Sequence, residues 1–328
     1  MGRRALAVFS GVLAVAALAG CATSSNTANR SARDAFAPPA TTAPAPTTTT
    51  TAPSCNARQS QRPDGALPAP GQMPAGSYMD EIRSRGHLTV GVDQNTVLWG
   101  YRDPITGTID GFDVALAREI ARAIFGDPTK VKLRAVVTGK RLDVVENKDV
   151  DLVASQITVT CGRRQLVDLS TVYYDAYQSL LVRRDGPVQN VQDLNGRTVC
   201  ATRGSTSIDN IKSKAPKARI YPVDARIDCL VALQEGRVDA ITSDNTILLG
   251  FEMQDPQNTQ LLDVNLESEP YGLATSKDHP EFGRFVNAVL DELRANGRLE
   301  QLYHEWFDRP DLGFTPPAVP PPAEYRVS

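Results

Sequence analysis

Strands and helices alternate twice along this chain, and the alternation limits the folds that it can form. In the first set, an apolar strand pattern at residues 87–93 is followed by an amphipathic helix at 114–125 and a further strand at 132–137. A second β-α-β set begins at Leu194. Two parallel strands need a crossover helix between them, so the pattern predicts an α/β protein with a mixed, mostly parallel sheet that helices cover.

Composition and charge narrow the class of ligand. The 328 residues are 41% hydrophobic and 22% charged, which suits one or two globular domains with a sizeable core. The formal net charge at pH 7 is −3. Such a weakly acidic balance argues against nucleic acid as a partner and favours a small molecule.

The richest candidate site lies at residues 151–170, DLVASQITVTCGRRQLVDLS. A buried strand at 152–154 continues into a polar run whose threonines share one face, and Arg163 follows a few residues later. Arginine binds a carboxylate through two parallel N–H bonds, so a guanidinium beyond a hydroxyl and free carbonyls suits a free α-amino acid. The alternative interpretation is an edge strand followed by a solvated arginine pair.

This run resembles the ligand strand of the polar amino-acid-binding subunits of ABC importers, whose motif is close to G-x-T-x-T-x-x-R. The resemblance extends from about Ser77 to Leu312, and the sequence GFDVALAREIA at 111–121 is a second matching motif. These subunits are family 3 solute-binding proteins. The chain is particularly similar to the glutamine- and glutamate-binding lipoproteins of actinobacteria.

The resemblance implies a periplasmic-binding-protein type II fold, in which two α/β sandwich lobes are joined by a two-segment hinge. Lobe 1 would comprise residues 78–182 and 271–312, and lobe 2 would comprise residues 183–270, with crossovers near Val182 and Tyr271. The implied function is capture of Glu, Asp, Gln or Asn between the lobes and delivery to the membrane permease of an ABC importer. A monomer is expected.

The resemblance also assigns ligand-binding residues. Arg163 would pair with the ligand α-carboxylate, helped by Thr158 and, on the second lobe, by Thr206. The α-ammonium would meet the carboxylate of Asp244 and the carbonyl of Gln156. Gln156 replaces the Gly of the commoner motif, which leaves the carbonyl role intact and would narrow the pocket.

Residues 201–207, ATRGSTS, form the strand-to-helix loop of the second lobe. The loop contains three hydroxyl residues, Thr202, Ser205 and Thr206. Side chains of this size leave the backbone N–H groups at the start of the next helix accessible to a ligand. The loop is therefore a candidate anion site. A nucleotide-binding P-loop is excluded because the Gly-Lys-Ser/Thr ending is absent.

Recognition of the ligand side chain would involve two charged residues and one aromatic residue. Arg141 falls where glutamate- and aspartate-binding relatives carry an arginine for the distal carboxylate, whereas Asp93 falls where glutamine binders carry a carboxylate for the amide. The two could pair and so tolerate both acids and amides, or form a surface salt bridge of little consequence. Trp99 is the candidate aromatic side chain over the ligand, with Tyr101 as the alternate, and a place in the core is equally open.

An enzyme of the same fold and an amino-acid sensor are the competing functions. Catalysis typically needs a positioned His or a perturbed carboxylate. None of His87, His279 and His304 maps to the expected cleft, and the sequence contains no metal-ligand cluster or Ser/His/Asp arrangement. We therefore expect a binding protein without cofactor or metal. An importer subunit and a sensor that signals through a membrane protein remain open alternatives.

The amino terminus carries an export signal. Residues 1–20 combine Arg3 and Arg4 with an apolar stretch at 5–18 that is short for a transmembrane span. The Leu-Ala-Gly-Cys sequence that ends at Cys21 is similar to a bacterial lipobox, which implies cleavage before this cysteine and lipidation of its sulfur. The chain would then be extracytoplasmic and anchored by acyl chains to the outer face of the cell membrane. An ordinary secretory signal is the alternative.

Residues 21–77 are expected to be a lipid-anchored tether. They are rich in Thr, Ala, Pro, Ser and Asn, with the most biased part, PPATTAPAPTTTTTAP, at 38–53. Such a composition buries too little apolar surface to offset chain entropy, so the segment should be solvated and extended. It is also a candidate for O-glycosylation. The proline-rich residues 313–328 are expected to form a flexible tail.

Four cysteines follow Cys21, and an even count in an exported chain predicts two disulfides. From the residues alone, three pairings are open. In the two-lobed fold that the resemblance implies, the pairing Cys55–Cys161 and Cys200–Cys229 would place each bridge within one lobe. The resemblance to the actinobacterial lipoproteins implies a similar placement. Free buried thiols are the alternative.

Overall fold

The computed structural model describes residues 55–308 and 319–327. Their strands form one ten-stranded sheet and a separate three-stranded sheet, and buried apolar side chains form separate cores on the two sides of the cleft described below. The expected architecture of two α/β lobes is therefore present. Within these residues, no helix has the length and apolar character that a membrane crossing requires.

The secondary structure follows the expected alternation of strands and helices. As far as the strand that leaves the first lobe, the elements are α1 (Tyr78–Arg85), β1 (Leu88–Val92), β2 (Asn95–Thr96), β3 (Gly100–Arg102), β4 (Ile109–Asp110), α2 (Phe112–Phe125), β5 (Val131–Ala135), a 3-10 turn (Thr138–Lys140), α3 (Asp143–Glu146), β6 (Leu152–Thr158), α4 (Arg163–Leu166), β7 (Asp168–Leu169) and β8 (Tyr174–Arg183). The remaining elements are a second 3-10 turn (Val191–Leu194), β9 (Thr198–Thr202), α5 (Ser207–Lys214), β10 (Arg219–Val223), α6 (Ile227–Gln234), β11 (Ala240–Asp244), α7 (Asn245–Glu252), β12 (Thr259–Leu261), β13 (Glu267–Thr275), α8 (Pro280–Ala295) and α9 (Arg298–Phe307).

Helix α2 illustrates how the sequence determines these elements. Phe112, Leu116, Ile120 and Ile124 recur at i, i+4 spacing and all are buried in the first-lobe core. The helix ends at Gly126, whose φ of 76° is left-handed and therefore favours glycine. Helix α8 covers the helical pattern near the carboxyl terminus and buries its apolar face in the same core, as expected.

The ten-stranded sheet is mixed, with antiparallel pairing at its centre. Its order is β10-β9-β11-β8-β13-β6-β1-β5, with β12 beside β8 and β7 beside β13. Pairing is parallel toward both ends, where the β-α-β units lie. It is antiparallel wherever β8 or β13 takes part. These two strands connect the lobes.

Strand β8 is divided between the lobes. Residues from Tyr174 to Gln178 pair with β13, and Tyr174 lies opposite Tyr271. The later residues pair with β11, and Val182 is buried in a second-lobe core. The first crossover therefore lies several residues before Val182, although it was expected near Val182. Strand pairing and burial hold the end of β8 in the second lobe. The return crossover includes Tyr271, as expected.

Trp99 lies in the hydrophobic core and is not the aromatic side chain that was expected over a ligand. It is fully buried, and its ring centroid lies 4.9–5.4 Å from those of Phe112, Tyr174, Tyr271 and Phe307. Aromatic pairs at this spacing stabilise a core beyond the area that they bury. Since Tyr174 belongs to β8 and Tyr271 belongs to β13, Trp99 packs against both connecting strands.

Residues 55–77 were expected in the solvated tether, but they pack against the first lobe. Arg58 forms salt bridges with Asp175 at 2.6 Å and with Glu324 at 2.9 Å. The Ser60 hydroxyl donates to the Leu169 carbonyl at 2.6 Å. A composition averaged over the whole segment concealed these polar anchors, so the expectation of a solvated tether is wrong for residues 55–77.

The carboxyl-terminal residues 319–327 also differ from the flexible tail that was expected. Tyr325 forms a parallel bridge with Ser60, and its hydroxyl donates to Asp291 on α8. Arg294 of the same helix donates to the Pro321 carbonyl at 3.0 Å. The proline-rich composition does not prevent an extended segment from pairing with the amino-terminal segment and with a helix.

Both expected disulfides are present. Cys55–Cys161 ties the amino-terminal segment to the first lobe, and Cys200–Cys229 joins β9 to α6 within the second lobe. The first bridge is partly exposed, whereas Cys200 and Cys229 are almost completely buried. Neither bridge crosses the cleft, so neither disulfide restricts a movement between the lobes.

The difference in burial predicts the order in which the disulfides are reduced. In the native protein, limited dithiothreitol followed by iodoacetamide should label Cys55 and Cys161 at least about tenfold faster than Cys200 and Cys229, because an opening of about 1.4 kcal/mol suffices for that factor. Peptide mass spectrometry measures the rates, and the same reaction in denaturant is the control. Faster labelling of the second-lobe pair, or a Cys161–Cys200 link, would contradict the structure.

Candidate ligand-binding cleft

Polar residues at the carboxyl ends of strands meet between the lobes. Asp93 follows β1, Thr158 ends β6, Thr202 ends β9 and Asp244 ends β11. In open α/β sheets ligands bind outside these strand ends. A cavity of about 10 Å³ lies there, and its lining comes from both lobes: Thr138, Arg141, Gln156, Thr158, Arg163, Thr202, Ser205, Thr206, Arg226, Ser243, Asp244 and Ile247.

The cavity gathers eight of the ten ligand-binding residues expected from the sequence. Asp93 lies one contact away, hydrogen-bonded to the lining residue Arg226. Trp99 is in the core, and its alternate Tyr101 is half-buried on β3. The strand-end residues of the two lobes are therefore assembled at one place, which is the condition for a ligand to contact both lobes.

Arg163 bridges the lobes at the edge of the cavity. Its guanidinium donates to the Thr158 carbonyl at 2.8 Å and to the Gly204 carbonyl of the second lobe at 3.0 Å. A Cβ at Gly204 would lie 2.8 Å from the Cα of Gly139, so glycine is required where the two backbones approach. Both of these Arg163 partners are neutral carbonyls, which leaves its charge available for a ligand carboxylate.

Glu269 contacts the hydroxyl groups of Thr158 and Thr206, the two threonines that were assigned to the ligand carboxylate. This residue of β13 is 1% exposed and accepts hydrogen bonds from Thr158 Oγ1 on the first lobe and from Thr206 Oγ1 at 2.8 Å on the second. Asn210 also donates to it at 3.1 Å. Each hydroxyl has a single proton to donate, so a ligand carboxylate at these threonines would compete with Glu269.

Two buried carboxyl groups near the cavity have raised pKa values. Burial and the nearby charge of Asp244 raise the pKa of Glu269 to about 7, against the effect of its threonine hydrogen bonds. Burial also raises the pKa of Asp244, although the Tyr271 hydroxyl donates to it at 2.7 Å and nearby arginines favour its charged form. Near neutral pH the pair therefore carries less than two full negative charges.

Arg141 is buried and donates to backbone carbonyls. Its Nε donates to the Thr138 carbonyl at 2.9 Å, and its Nη1 donates to the carbonyls of Ser155 at 2.6 Å and Gln156 at 2.9 Å. The pairing of Arg141 with Asp93 that the sequence suggested is not formed. The Gln156 carbonyl, which was expected to receive the ligand ammonium, already accepts one hydrogen bond and has one lone pair left.

Asp93 pairs with an arginine of the other lobe. Its Oδ2 accepts from Arg226 Nη1 and from Thr96 Oγ1, each at 2.9 Å. Its Oδ1 accepts from the backbone N–H groups of Gln94 at 2.6 Å and Asn95 at 2.8 Å. The side chains of Asp93 and Arg226 are 9% and 5% exposed, so this is a buried ion pair between lobes.

The backbone of Gln156 explains why glycine occupies this position in the commoner motif. Its φ of 44° is left-handed, which costs a residue with a Cβ about 1–2 kcal/mol. The side chain of Gln156 provides compensating contacts, because its amide donates to Asp113 and its Oε1 accepts from Arg226. The glutamine side chain thus forms part of the cavity lining.

The loop that precedes α5 is closed by its own hydroxyl groups. Ser205 Oγ donates to the Thr202 carbonyl at 2.7 Å. Thr206 stands at the start of α5 and directs its hydroxyl to Glu269. The expected anion site at this helix therefore lies next to a carboxylate that the chain itself supplies.

Sequence reasoning missed two charged residues of the cleft, Arg226 and Glu269. Arg226 lies between β10 and α6, at the sheet edge where the other polar strand ends meet, and this position was a usable signal. Glu269 lies between Ser268 and Pro270 in the crossover strand β13, and a carboxylate that is buried in a strand rarely lacks partners.

Comparison with known proteins is consistent with this geometry. Residues 88–309 match the bacterial extracellular solute-binding proteins, family 3. The ABC transporter glutamine-binding protein GlnH of Bacillus subtilis is 35% identical over 226 residues, which are 69% of this chain and 82% of that protein. The glutamate-binding protein GluB of Corynebacterium efficiens is 29% identical over 251 residues, 73% of this chain and 85% of that protein.

A solved structure shares the fold. The ancestral amino acid-binding protein AncCDT-1, a precursor of cyclohexadienyl dehydratase, aligns with a TM-score of 0.64 and 29% sequence identity, covering 70% of this chain and 100% of its own. Together with the family match, this likeness confirms the two-lobed periplasmic-binding type II fold.

The raised pKa of Glu269 predicts how stability depends on pH. Its pKa is about 7 in the folded protein, against 4.5 for an ordinary glutamate, so between these values the folded state binds more protons than the unfolded state. The free energy of unfolding should therefore fall as the pH rises from about 5 to 8. The titration of Glu269 accounts for up to about 3 kcal/mol of this decrease. Urea unfolding across this range measures the slope.

The variant Glu269→Gln should flatten that slope, because glutamine does not titrate. Glu267→Gln on the same strand is the matched control, since the Glu267 side chain is half-exposed and pairs with Lys214. Asp113 also has a raised pKa, about 6, but its contribution is the same in all three proteins. Equal slopes for wild type and Glu269→Gln would show that Glu269 does not titrate in this window.

Proposed function

The chain belongs to the bacterial extracellular solute-binding proteins, family 3, and from this membership we propose that it captures a polar or acidic L-amino acid for an ABC importer. The proposed ligands are Glu, Asp, Gln and Asn. Two relatives, the glutamine-binding protein GlnH and the glutamate-binding protein GluB, support this choice of ligands.

The observation that carries the proposal is the arrangement of opposite charges across one cavity. Arg163 lines it from the first lobe, and Asp244 lines it from the second. A free amino acid carries a carboxylate for the first and an ammonium for the second. The Thr158 and Thr206 hydroxyls lie close enough to share Glu269, so they are also within reach of one ligand carboxylate.

Ligand capture would be coupled to closure of the lobes. Only β8 and β13 connect the two lobes within residues 78–307, and neither disulfide crosses between them. Two such strands act as a hinge because few residues change conformation while each core stays packed. A zwitterion contacts both lobes at once and therefore shifts the population toward the closed form.

Two other functions share this cleft. A sensor lipoprotein would bind the same amino acids and signal through a membrane protein. An enzyme is the less favoured alternative: the pKa of Glu269, about 7, suits a general base, but His87, His279 and His304 do not line the cavity. The curated relatives GlnH and GluB are binding proteins. We therefore propose binding without turnover, by a monomer that uses no cofactor.

We further propose that the protein acts outside the cytoplasm from a lipid anchor. Cys21 would carry the acyl chains after removal of residues 1–20, and the Thr/Pro-rich segment would hold the lobes near a permease. These residues lie outside the part of the chain that the structure describes. The lipobox-like Leu-Ala-Gly-Cys sequence supports the proposal.

The variant Arg163→Ala should weaken every amino-acid ligand at least about 100-fold, because it removes the partner of a group that all of them share. Charge-assisted hydrogen bonds contribute about 1.5–3 kcal/mol each, and Arg163 can form two. Calorimetry with each of the twenty amino acids measures binding, and Arg134→Ala, a half-exposed arginine of the same lobe, is the control. Unchanged affinity in Arg163→Ala would contradict the assigned role, and binding of sugars or peptides only would refute the proposed function.

Metabolic labelling with an alkyne analogue of palmitate tests the anchor. The wild-type protein should incorporate the label, whereas Cys21→Ala should not, since it lacks the thiol that forms the thioether. Cys55→Ala is the matched control and should remain labelled, because Cys55 belongs to a disulfide. Label in the Cys21→Ala protein would place the lipid elsewhere or show that the incorporation is unspecific.

A further inference from the structure

Arg226 is a guanidinium in the cleft that the importer motifs do not account for. It precedes α6 on the second lobe, yet all the hydrogen-bond partners of its side chain belong to the first lobe. Its Nε donates to Thr138 Oγ1 at 2.9 Å, and its Nη1 donates to Asp93 at 2.9 Å and to the Gln156 side chain. With a side chain 5% exposed, Arg226 reaches fully across the cleft.

We propose that Arg226 makes the cleft selective for amino acids whose side chain ends in a carboxylate, L-glutamate and L-aspartate, over their amides. The inference rests on the proposed function and names the ligand class of the same site. It assigns the selectivity to a residue of the second lobe, whereas the resemblance assigned side-chain recognition to Arg141 and Asp93 on the first.

The cleft offers few hydrogen-bond acceptors to an amide side chain. A glutamine or asparagine amide needs an acceptor for its N–H₂ group, and Asp93 was the candidate. The Asp93 carboxylate already accepts from two backbone N–H groups, from Thr96 and from Arg226. Four such bonds fill the positions that two carboxylate oxygens offer. An amide N–H₂ would then face guanidinium donors without an acceptor, and sites of this kind reject such ligands strongly.

Charge at the cavity points the same way. Three guanidinium groups, those of Arg141, Arg163 and Arg226, line the cavity with the carboxylate of Asp244, while Asp93 pairs with Arg226 and Glu269 accepts from two lining threonines. After burial, the charges of Arg226 and Arg163 are the main causes that lower the pKa of Arg141, and the charges of Asp244 and Asp93 oppose them. A ligand whose side chain carries a negative charge offsets the repulsion among the guanidinium groups, whereas a neutral amide does not.

Gln156 holds the Arg226 side chain in place. This residue replaces a glycine of the commoner motif and accepts the strain of a left-handed backbone. Its side chain donates to Asp113 and accepts from Arg226, so it orients the guanidinium that crosses the cleft. The departure from the motif and the additional arginine thus form one structural unit.

Calorimetry with L-Glu, L-Gln, L-Asp and L-Asn on the exported chain tests the inference. The wild-type protein should bind each acid at least about tenfold more tightly than its amide. Arg226→Gln frees Asp93 and removes one positive charge, so it should weaken the acids at least about tenfold while the amides keep or gain affinity. Arg226→Lys should fall between the two, because it keeps the charge and loses the planar fork.

Two further variants test whether the change in selectivity is specific to Arg226. Arg203→Gln alters an exposed arginine of the same lobe that bonds to the Pro222 carbonyl, and it should leave the ratio of acid to amide unchanged. Asp93→Asn releases Arg226 from its anionic partner, so it should favour the acids further, opposite to Arg226→Gln. This second variant tests the inference even where Arg226→Gln folds poorly.

The outcomes separate this inference from the proposed function. A wild type that binds glutamine as tightly as glutamate overturns the selectivity while leaving amino-acid capture intact. Equal loss of acids and amides in Arg226→Gln also overturns it, and identifies Arg226 as a contact that only holds the lobes together. A wild type that binds none of the four ligands removes both proposals.

Discussion

The pairing of β8 with β13 is the constraint on which the rest of the cleft depends. The two strands run antiparallel between the lobes. Trp99 packs against Tyr174 of β8 and Tyr271 of β13. Residues at i and i+2 of a strand share a face, so Glu269 and Tyr271 project together from β13. Glu269 reaches Thr158 and Thr206, while the Tyr271 hydroxyl reaches Asp244. One strand therefore organises the hydrogen bonds at both ends of the proposed amino-acid site.

The cleft buries charges, and its chemistry follows from the cost of doing so. Removing an ion from water costs several kcal/mol unless partners compensate, and a buried ion pair contributes little net stability for that reason. The pair of Arg226 and Asp93 closes the lobes on each other without a large gain in stability. The pair also fixes the positions of two charged groups at the cleft. The raised pKa of Glu269 favours an anionic ligand, since a proton there removes a competing negative charge.

Much of the fold could be predicted from the sequence because it depends on local pattern. The alternation of strands and helices, the helix that ends at Gly126 and the polar strand ends each leave a signal within a few residues. Trp99 was ambiguous because a large aromatic side chain after a strand suits a core as well as a ligand. Arg226 and Glu269 were missed because their partners are distant in the chain, and only the juxtaposition of the lobes makes them part of the site. The anchoring of residues 55–77 depends likewise on distant partners such as Asp175.

The central claim is that the cavity between the lobes holds a free amino acid by its α-carboxylate at Arg163 and its α-ammonium at Asp244. A crystal structure of the protein grown with L-glutamate tests it most directly. The claim predicts the α-carboxylate within about 3 Å of the Arg163 guanidinium, with Thr158 and Thr206 donating to the ligand and Glu269 released from at least one of them. A ligand bound outside the cavity, or one whose ammonium lies at Arg163 or far from Asp244, would contradict it.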